Sequence, residues 1–113
     1  MNQVSMLLVL TTLPDADSAE RIGRDLVERG LAACVSIGAP VRSIYRWQGA
    51  IEQAHEVPLM IKTTRARYDE LELALHAAHP YELPEIIALP VERGLEGYLH
   101  WMDEMTEPGT GHP

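Results

Sequence analysis

The feature that most restricts this chain is a long hairpin written around Gln48-Gly49. Val41 to Trp47 alternates, with Val41, Ser43, Tyr45 and Trp47 on one face and Arg42, Ile44 and Arg46 on the other. Ile51 to Lys62 returns and ends in the apolar run Leu59-Met60-Ile61. A Gln-Gly pair between two such stretches predicts a tight turn. Pro58 predicts a bulge or an edge where no backbone donor is needed. A hairpin of this length reaches beyond the body of a small domain, and its free edges invite pairing with another subunit.

The rest of the chain supplies that body. Val4 to Leu10 reads as a strand buried on both faces, ended by Thr11, Thr12, Pro14 and Asp15. Asp15 or Asp17 is placed to cap a helix over about residues 16–29, with Ala19, Ile22, Leu26 and Val27 at helical spacing and Gly30 as its stop. Ala32 to Ile37 is a second apolar run, interrupted by Gly38 and Pro40. Thr64 is placed to cap a second helix with the stripe Tyr68, Leu71, Leu75 and Ala78, stopped at Pro80. Glu85 to Val91 is a further strand and Gly94 to Met105 a final helix. The order predicts an α+β, ferredoxin-like βαββαβ sandwich with a C-terminal helix and a long β-hairpin arm. One domain is expected over residues 1–106, with a polar, flexible tail over 107–113. Helices cover one sheet face. The other is also aliphatic, and at ~25 cal/mol per Å² of buried apolar area it favours oligomerisation.

Charge narrows the partners. Nine basic against seventeen acidic residues leave a net charge of −8. No basic face for nucleic acid or an anionic membrane surface is expected, whereas a small cation or a small ligand in a local pocket is. The single cysteine, Cys34, excludes a disulfide framework, a zinc finger and a Cys-x-x-Cys pair, and fits a cytoplasmic location. No apolar window approaches the ~20 residues of a membrane span, and the N-terminal stretch has no leader character. Phosphate-loop, dinucleotide, zinc-protease and nucleophile-elbow motifs are absent, so no reaction is indicated and the chain is read as no enzyme.

Several residues invite chemistry, each with a plainer alternative. Cys34 is either a small buried hydrophobe or a soft-metal ligand. His76 and His79 share a helix end, where they suit a metal or simply the helix dipole. His55, His100 and His112 read as surface or packing residues. His79-Pro80-Tyr81-Glu82-Leu83-Pro84-Glu85 is a proline-stiffened loop that either presents His79, Tyr81, Glu82 and Glu85 to a ligand or simply joins helix to strand. Tyr45 and Trp47 wall either an interface or a ligand cleft. Lys62 either aims its ammonium at an anion or stays at the surface.

Assembled in order, these segments resemble the CutA divalent-cation-tolerance family. The resemblance runs from Val9 to Trp101. It rests on Val9-Leu10-Thr11-Thr12, Leu31-Ala32-Ala33-Cys34-Val35, Ser43-Ile44-Tyr45-Arg46-Trp47-Gln48-Gly49, Leu59-Met60-Ile61-Lys62-Thr63-Thr64, the loop at His79 to Ile86, and Tyr98-Leu99-His100-Trp101. It implies a cytoplasmic homotrimer, similar in architecture to the PII signalling proteins, that binds copper or another divalent cation without an organic cofactor. The implied metal residues are Cys34, His79 and Glu85. The implied intersubunit cleft gathers Tyr45, Trp47, Glu56, Lys62, Tyr81, Glu82 and Trp101. Where copper-binding relatives carry further cysteine and histidine, this chain has Thr11, Ala74 and Ala78. The resemblance also implies an alternative, a PII-like sensing module holding a small anionic ligand through Lys62, Tyr81 and Trp47.

Overall fold

A computed structural model describes residues 5–108. In them the chain forms β1 (Met6–Leu13), α1 (Ala16–Glu28), β2 (Cys34–Ile37), β3 (Val41–Trp47), β4 (Ala50–Thr64), α2 (Arg65–Ala78), β5 (Ile87–Val91) and α3 (Glu96–Met105). The expected strand start at Val4, the tail beyond residue 108 and His112 lie outside the described residues.

The spine is β4. Its 15 residues, at ~3.3 Å each, match the 50 Å long axis of the molecule. The inner half pairs antiparallel with β1 from Val57 to Thr64 and with β2 from Leu59 to Lys62. The outer half pairs only with β3, from Val41↔Glu56 to Trp47↔Ala50. The strand order β2-β4-β1-β5 is the ferredoxin-like order the sequence predicts, and β3 with outer β4 is the projecting arm. Pro58 sits where β2 has ended and β3 has not begun, so its missing donor goes unneeded, and its carbonyl accepts from the Gly38 N–H at 2.9 Å.

Side-chain alternation decides the layers. Leu7, Val9 and Leu13 of β1 and Val57, Leu59 and Ile61 of β4 point to one face, packing on Ile22 and Leu26 of α1 and Leu71 and Leu75 of α2. Asp15 caps α1, accepting from the Ser18 N–H at 2.7 Å. The opposite face carries Leu8, Leu10, Met60, Ile87 and Leu89. α3 covers only one end of it, where Met102 meets Met6 and Ala33. Met60, Ile87, Leu89 and Val91 keep 37–51% of their surface exposed. The unclothed second face expected from sequence is therefore present.

Some boundaries differ. β1 continues through Thr11 and Thr12 to Leu13, because these pair with Leu59, Pro58 and Val57. β5 starts at Ile87, since the ladder with β1 opens at Leu10↔Ile87 and the segment before it is held in the Pro80–Pro84 loop. In α2 the buried stripe is Arg67, Leu71 and Leu75, with Tyr68 half-buried against the same core and Ala78 exposed. Arg67 joins it because its Nε reaches the Gly30 carbonyl at 3.4 Å while its Nη1 pairs with Glu70 at 2.8 Å. Thr64 stands at the N-cap of α2 without a side-chain capping bond.

At the arm tip both turn residues have left-handed backbones, Gln48 at φ 50° and Gly49 at φ 84°. That is the twist a two-residue hairpin turn needs. A Cβ on Gly49 would meet nothing within 4 Å, so Gly49→Ala is a pure backbone test. It is expected to cost about 1 kcal/mol from left-handed strain, read as a small drop in thermal midpoint.

Candidate functional site

Where the arm leaves the body, three segments converge: the end of β1, the base of the arm, and the loop from His79 to Glu85. They enclose a solvent-open cavity of about 850 Å³. Thr12, Ser43, Tyr45, Trp47, Glu56, Tyr81, Glu82 and Glu85 are among its lining residues, which include no lysine, arginine or histidine.

Glu56 is the charged centre. It is 9% exposed and accepts from the Thr12 hydroxyl at 3.1 Å. Burial pushes its carboxyl pKa up, but the Ser43, Tyr81 and Thr12 hydroxyls directed at it, with His79 nearby, outweigh that and hold it below the usual carboxylate value. Glu56 is thus a buried carboxylate that stays ionised on hydroxyl hydrogen bonds, and no lysine or arginine ion pair to it occurs among the described residues. Tyr81 is the complement: burial and the Glu56 carboxylate both push its hydroxyl pKa up, so it remains a neutral donor.

His79 positions this pair. It is 7% exposed. Its Nε2 lies 2.9 Å from the Thr12 carbonyl, which can only accept, so Nε2 carries the proton. Thr11 Oγ1 stands beside it at 3.2 Å. Nδ1 then accepts the Tyr81 backbone N–H at 3.2 Å, and the two rings sit 4.9 Å apart. Both ring nitrogens are engaged, and coordination through Nδ1 would require the Tyr81 bond to be given up. Burial pushes the His79 pKa below its usual 6.5, partly opposed by Thr12 and Glu56. Well above pH 6.5 folded and unfolded chains are both neutral at His79. Below it the unfolded chain takes up a proton that the fold resists, so stability falls with acid. Glu56, with its pKa lowered, also loses stability as pH falls, but only below its usual 4.5. His79→Gln is therefore expected to flatten the decline in thermal midpoint between pH 6.5 and about pH 5. A midpoint whose pH slope matches the parent would show that His79 does not titrate against folding.

The expected residues separate into two places. Tyr45, Trp47, Glu56, Tyr81, Glu82 and Glu85 line the cavity, with His79 behind it. Cys34 pairs with Lys62 on the open sheet face, where Lys62 Nζ reaches Cys34 Sγ at 3.8 Å and Ser36 Oγ at 3.4 Å. Lys62 lies along β4 from Glu56, about 20 Å away at strand spacing. Trp101 is on α3 against Tyr98, with ring centroids 5.5 Å apart. Among the described residues no three of His, Cys, Asp and Glu converge to hold a metal ion. Cys34, His79 and Glu85 therefore do not form one site within a single chain. Sequence reading missed Thr12 and Ser43, the hydroxyls that hold Glu56. Their signal was strand parity, which puts both on the Glu56 face once Thr12↔Pro58 and Val41↔Glu56 are in register.

Comparison with known proteins places this geometry in a family context. Residues 7–105 match the family model described as CutA1 divalent ion tolerance protein. The chain is 44% identical over 99 residues to the divalent-cation tolerance protein CutA of Thermus thermophilus, covering 88% of this chain and 96% of that one. It is 44% identical over 103 residues to mouse Protein CutA, covering 91% of this chain but only 58% of the longer mouse protein. A solved structure of the Thermus thermophilus divalent cation tolerance protein superposes with a TM-score of 0.88 at 43% identity, covering 90% of this chain and 99% of that one. The Archaeoglobus fulgidus CutA structure, described as a periplasmic divalent cation tolerance protein, gives 0.87 at 40% identity over 90% of this chain and 99% of that one. No helix among the described residues is long and apolar enough to cross a membrane.

Proposed function

The chain belongs to the CutA1 divalent ion tolerance family, and from that premise we propose that it binds a divalent cation, copper among the candidates, as a homotrimer and without turnover. The observation that carries this reading is the cavity in which Glu56, Glu82 and Glu85 face a common space lined by no basic residue. Each of these carboxylates can offer oxygen donors to a divalent ion, although the three do not converge on one point within a single chain. Among the described residues a single chain lacks a complete ligand set, so the remaining donors come from a neighbouring copy. Cys34 is the soft donor available for that purpose, on a face a second copy would cover. His79 acts in this reading by holding Tyr81 in place, through its backbone N–H and its ring.

Assembly has its own support. Beyond its base the arm is a two-stranded ribbon whose Ile44 and Ile51 are mostly exposed, and such a ribbon is marginal alone in water. The apolar residues left open on the sheet call for a cover of the same kind. A cytoplasmic location fits the free Cys34 thiol. Within one chain Lys62 lies away from the aromatic walls, so a small anion held by Lys62, Tyr81 and Trp47 would likewise need a neighbouring copy.

The test is a chelator-competed titration of the reduced, tag-free protein with copper, zinc and calcium. Saturable binding at a fixed ratio, weakened in Glu85→Gln and, for copper, in Cys34→Ser, is the expected result. Nonsaturating uptake unchanged in both variants would reduce the effect to adsorption on an acidic surface.

A further inference from the structure

Two surfaces stand open in one chain, and their chemistry matches. The first is one face of the arm. The ladder sets Arg42 opposite His55, Ile44 opposite Gln53 and Arg46 opposite Ile51, and residues opposite one another in an antiparallel pair share a face. Ile44 and Ile51 are mostly exposed. Arg42 and Arg46 form no ion pair among the described residues, and the face carries no carboxylate. An apolar face with unpaired arginines calls for a partner surface that is apolar and acidic.

The second surface is a groove of about 310 Å³ between α1 and β2. Its floor is the close approach of Gly23 to Val35, where a Cβ on the glycine would stand 3.1 Å from Val35 Cγ1. Val27 and Ile37, both exposed, give it apolar sides. Its charged residues are Glu20, Arg24 and Glu28. Glu20 and Arg24 satisfy each other at 3.2 Å, and Glu28 forms no ion pair among the described residues.

The backbones match as well. In the body of the sheet β2 is paired on one edge only, with β4. The outer half of β4 is paired on one edge only, with β3. Each leaves a row of backbone groups open to another strand. Ile51, Gln53 and His55 have the parity of Val57, Leu59 and Ile61, which face the helices, and Val35 packs on that same side. The groove cannot be filled by its own arm. Ile51 lies about 26 Å along β4 from Leu59, the residue opposite Ile37, at strand spacing. Two arm faces laid on each other would set arginine against arginine.

We propose that the α1–β2 groove is the seat of the arm of a second copy of this chain. The free edge of outer β4 lies along the free edge of β2 and continues its sheet. Ile44 and Ile51 cover Val27 and Ile37, and an arm arginine meets Glu28. The proposal rests on the homotrimer reading and names the surfaces that build it. Each copy gives an arm and receives one, so the contact is heterologous, and three such contacts close a ring.

The experiment uses the full chain with Cys34→Ser, carrying Val27→Cys, Ile51→Cys or both, and a short bismaleimide as cross-linker. Light scattering before cross-linking gives the mass, expected at three times 12.6 kDa. The paired variant is expected to give covalent dimers and trimers on a denaturing gel, and each single variant to run as one chain. A charge exchange follows the same contact in solution. Arg42→Glu with Arg46→Glu, and separately Glu28→Arg, are each expected to raise the concentration at which the trimer dissociates about tenfold. All three substitutions in one chain are expected to recover most of that loss, which a mere weakening of the arm would not allow. A protein of trimer mass whose paired cysteines do not cross-link, or whose charge exchange brings no recovery, would overturn the groove assignment and leave the homotrimer reading standing. Cross-linking of Ile51→Cys alone would show arm meeting arm and overturn it too. A parent of single-chain mass would overturn both.

Discussion

Met60→Arg is expected to yield single chains in place of the proposed homotrimer. Met60 lies on the spine strand β4, between Leu10 of β1 and Ser36 of β2, on the face that α3 leaves open. In one chain it is 40% exposed, so an arginine there can reach water and the isolated fold should accept it. In a trimer the same guanidinium would be enclosed by apolar neighbours. Removing a charge from water without a partner costs several kcal/mol per ion, and a symmetric assembly incurs that cost at every copy. The expected light-scattering mass is three times 12.6 kDa for the parent and 12.6 kDa for the variant. The far-ultraviolet circular dichroism should stay that of the folded chain. A variant that remains trimeric would show that the subunits associate elsewhere.

The second large effect is expected at Glu56. Glu56→Gln keeps the shape and the Thr12 contact while removing the charge. Oxygen-donor cation sites are tuned by their number of charged ligands. Loss of this one is expected to weaken divalent-cation binding at least ~10-fold, equivalent to ~1.4 kcal/mol. Because the hydroxyls of Thr12, Ser43 and Tyr81 already lower the Glu56 pKa, the parent site should stay charged through the mildly acidic range. The variant should bind weakly at every pH. Unchanged affinity would remove Glu56 from the metal site.

Much of this arrangement could be read from the chain, and the reasons are local. Gln48-Gly49 announces its own turn, because few residue pairs take two left-handed backbones in succession. The strands flanking it have a period of two, and Val41 to Trp47 was legible to the residue. Asp15 announces a helix start for the same kind of local reason. What depends on distant partners was harder to see. Thr11 and Thr12 look like the end of a strand until β4 is laid beside them. Arg67 looks like a surface residue until the Gly30 carbonyl is brought within its reach. The family resemblance named Tyr45, Trp47, Glu56, Tyr81, Glu82 and Glu85 of the cavity wall, and it grouped with them Lys62 and Trp101, which a single chain places elsewhere. Histidine chemistry was the least legible. The His-Pro-Tyr segment reads equally as a ligand-presenting loop and as a plain connection, and only the fold engages both imidazole nitrogens with Thr12 and Tyr81.

The central claim is that the cation site is completed by assembly, and native mass spectrometry of the reduced protein loaded with copper tests it most directly. The parent is expected to retain a fixed whole number of ions on the intact trimer, and Met60→Arg single chains are expected to retain none under the same conditions. Single chains that hold copper as well as the parent does, or a trimer that holds no fixed number of ions, would contradict the account.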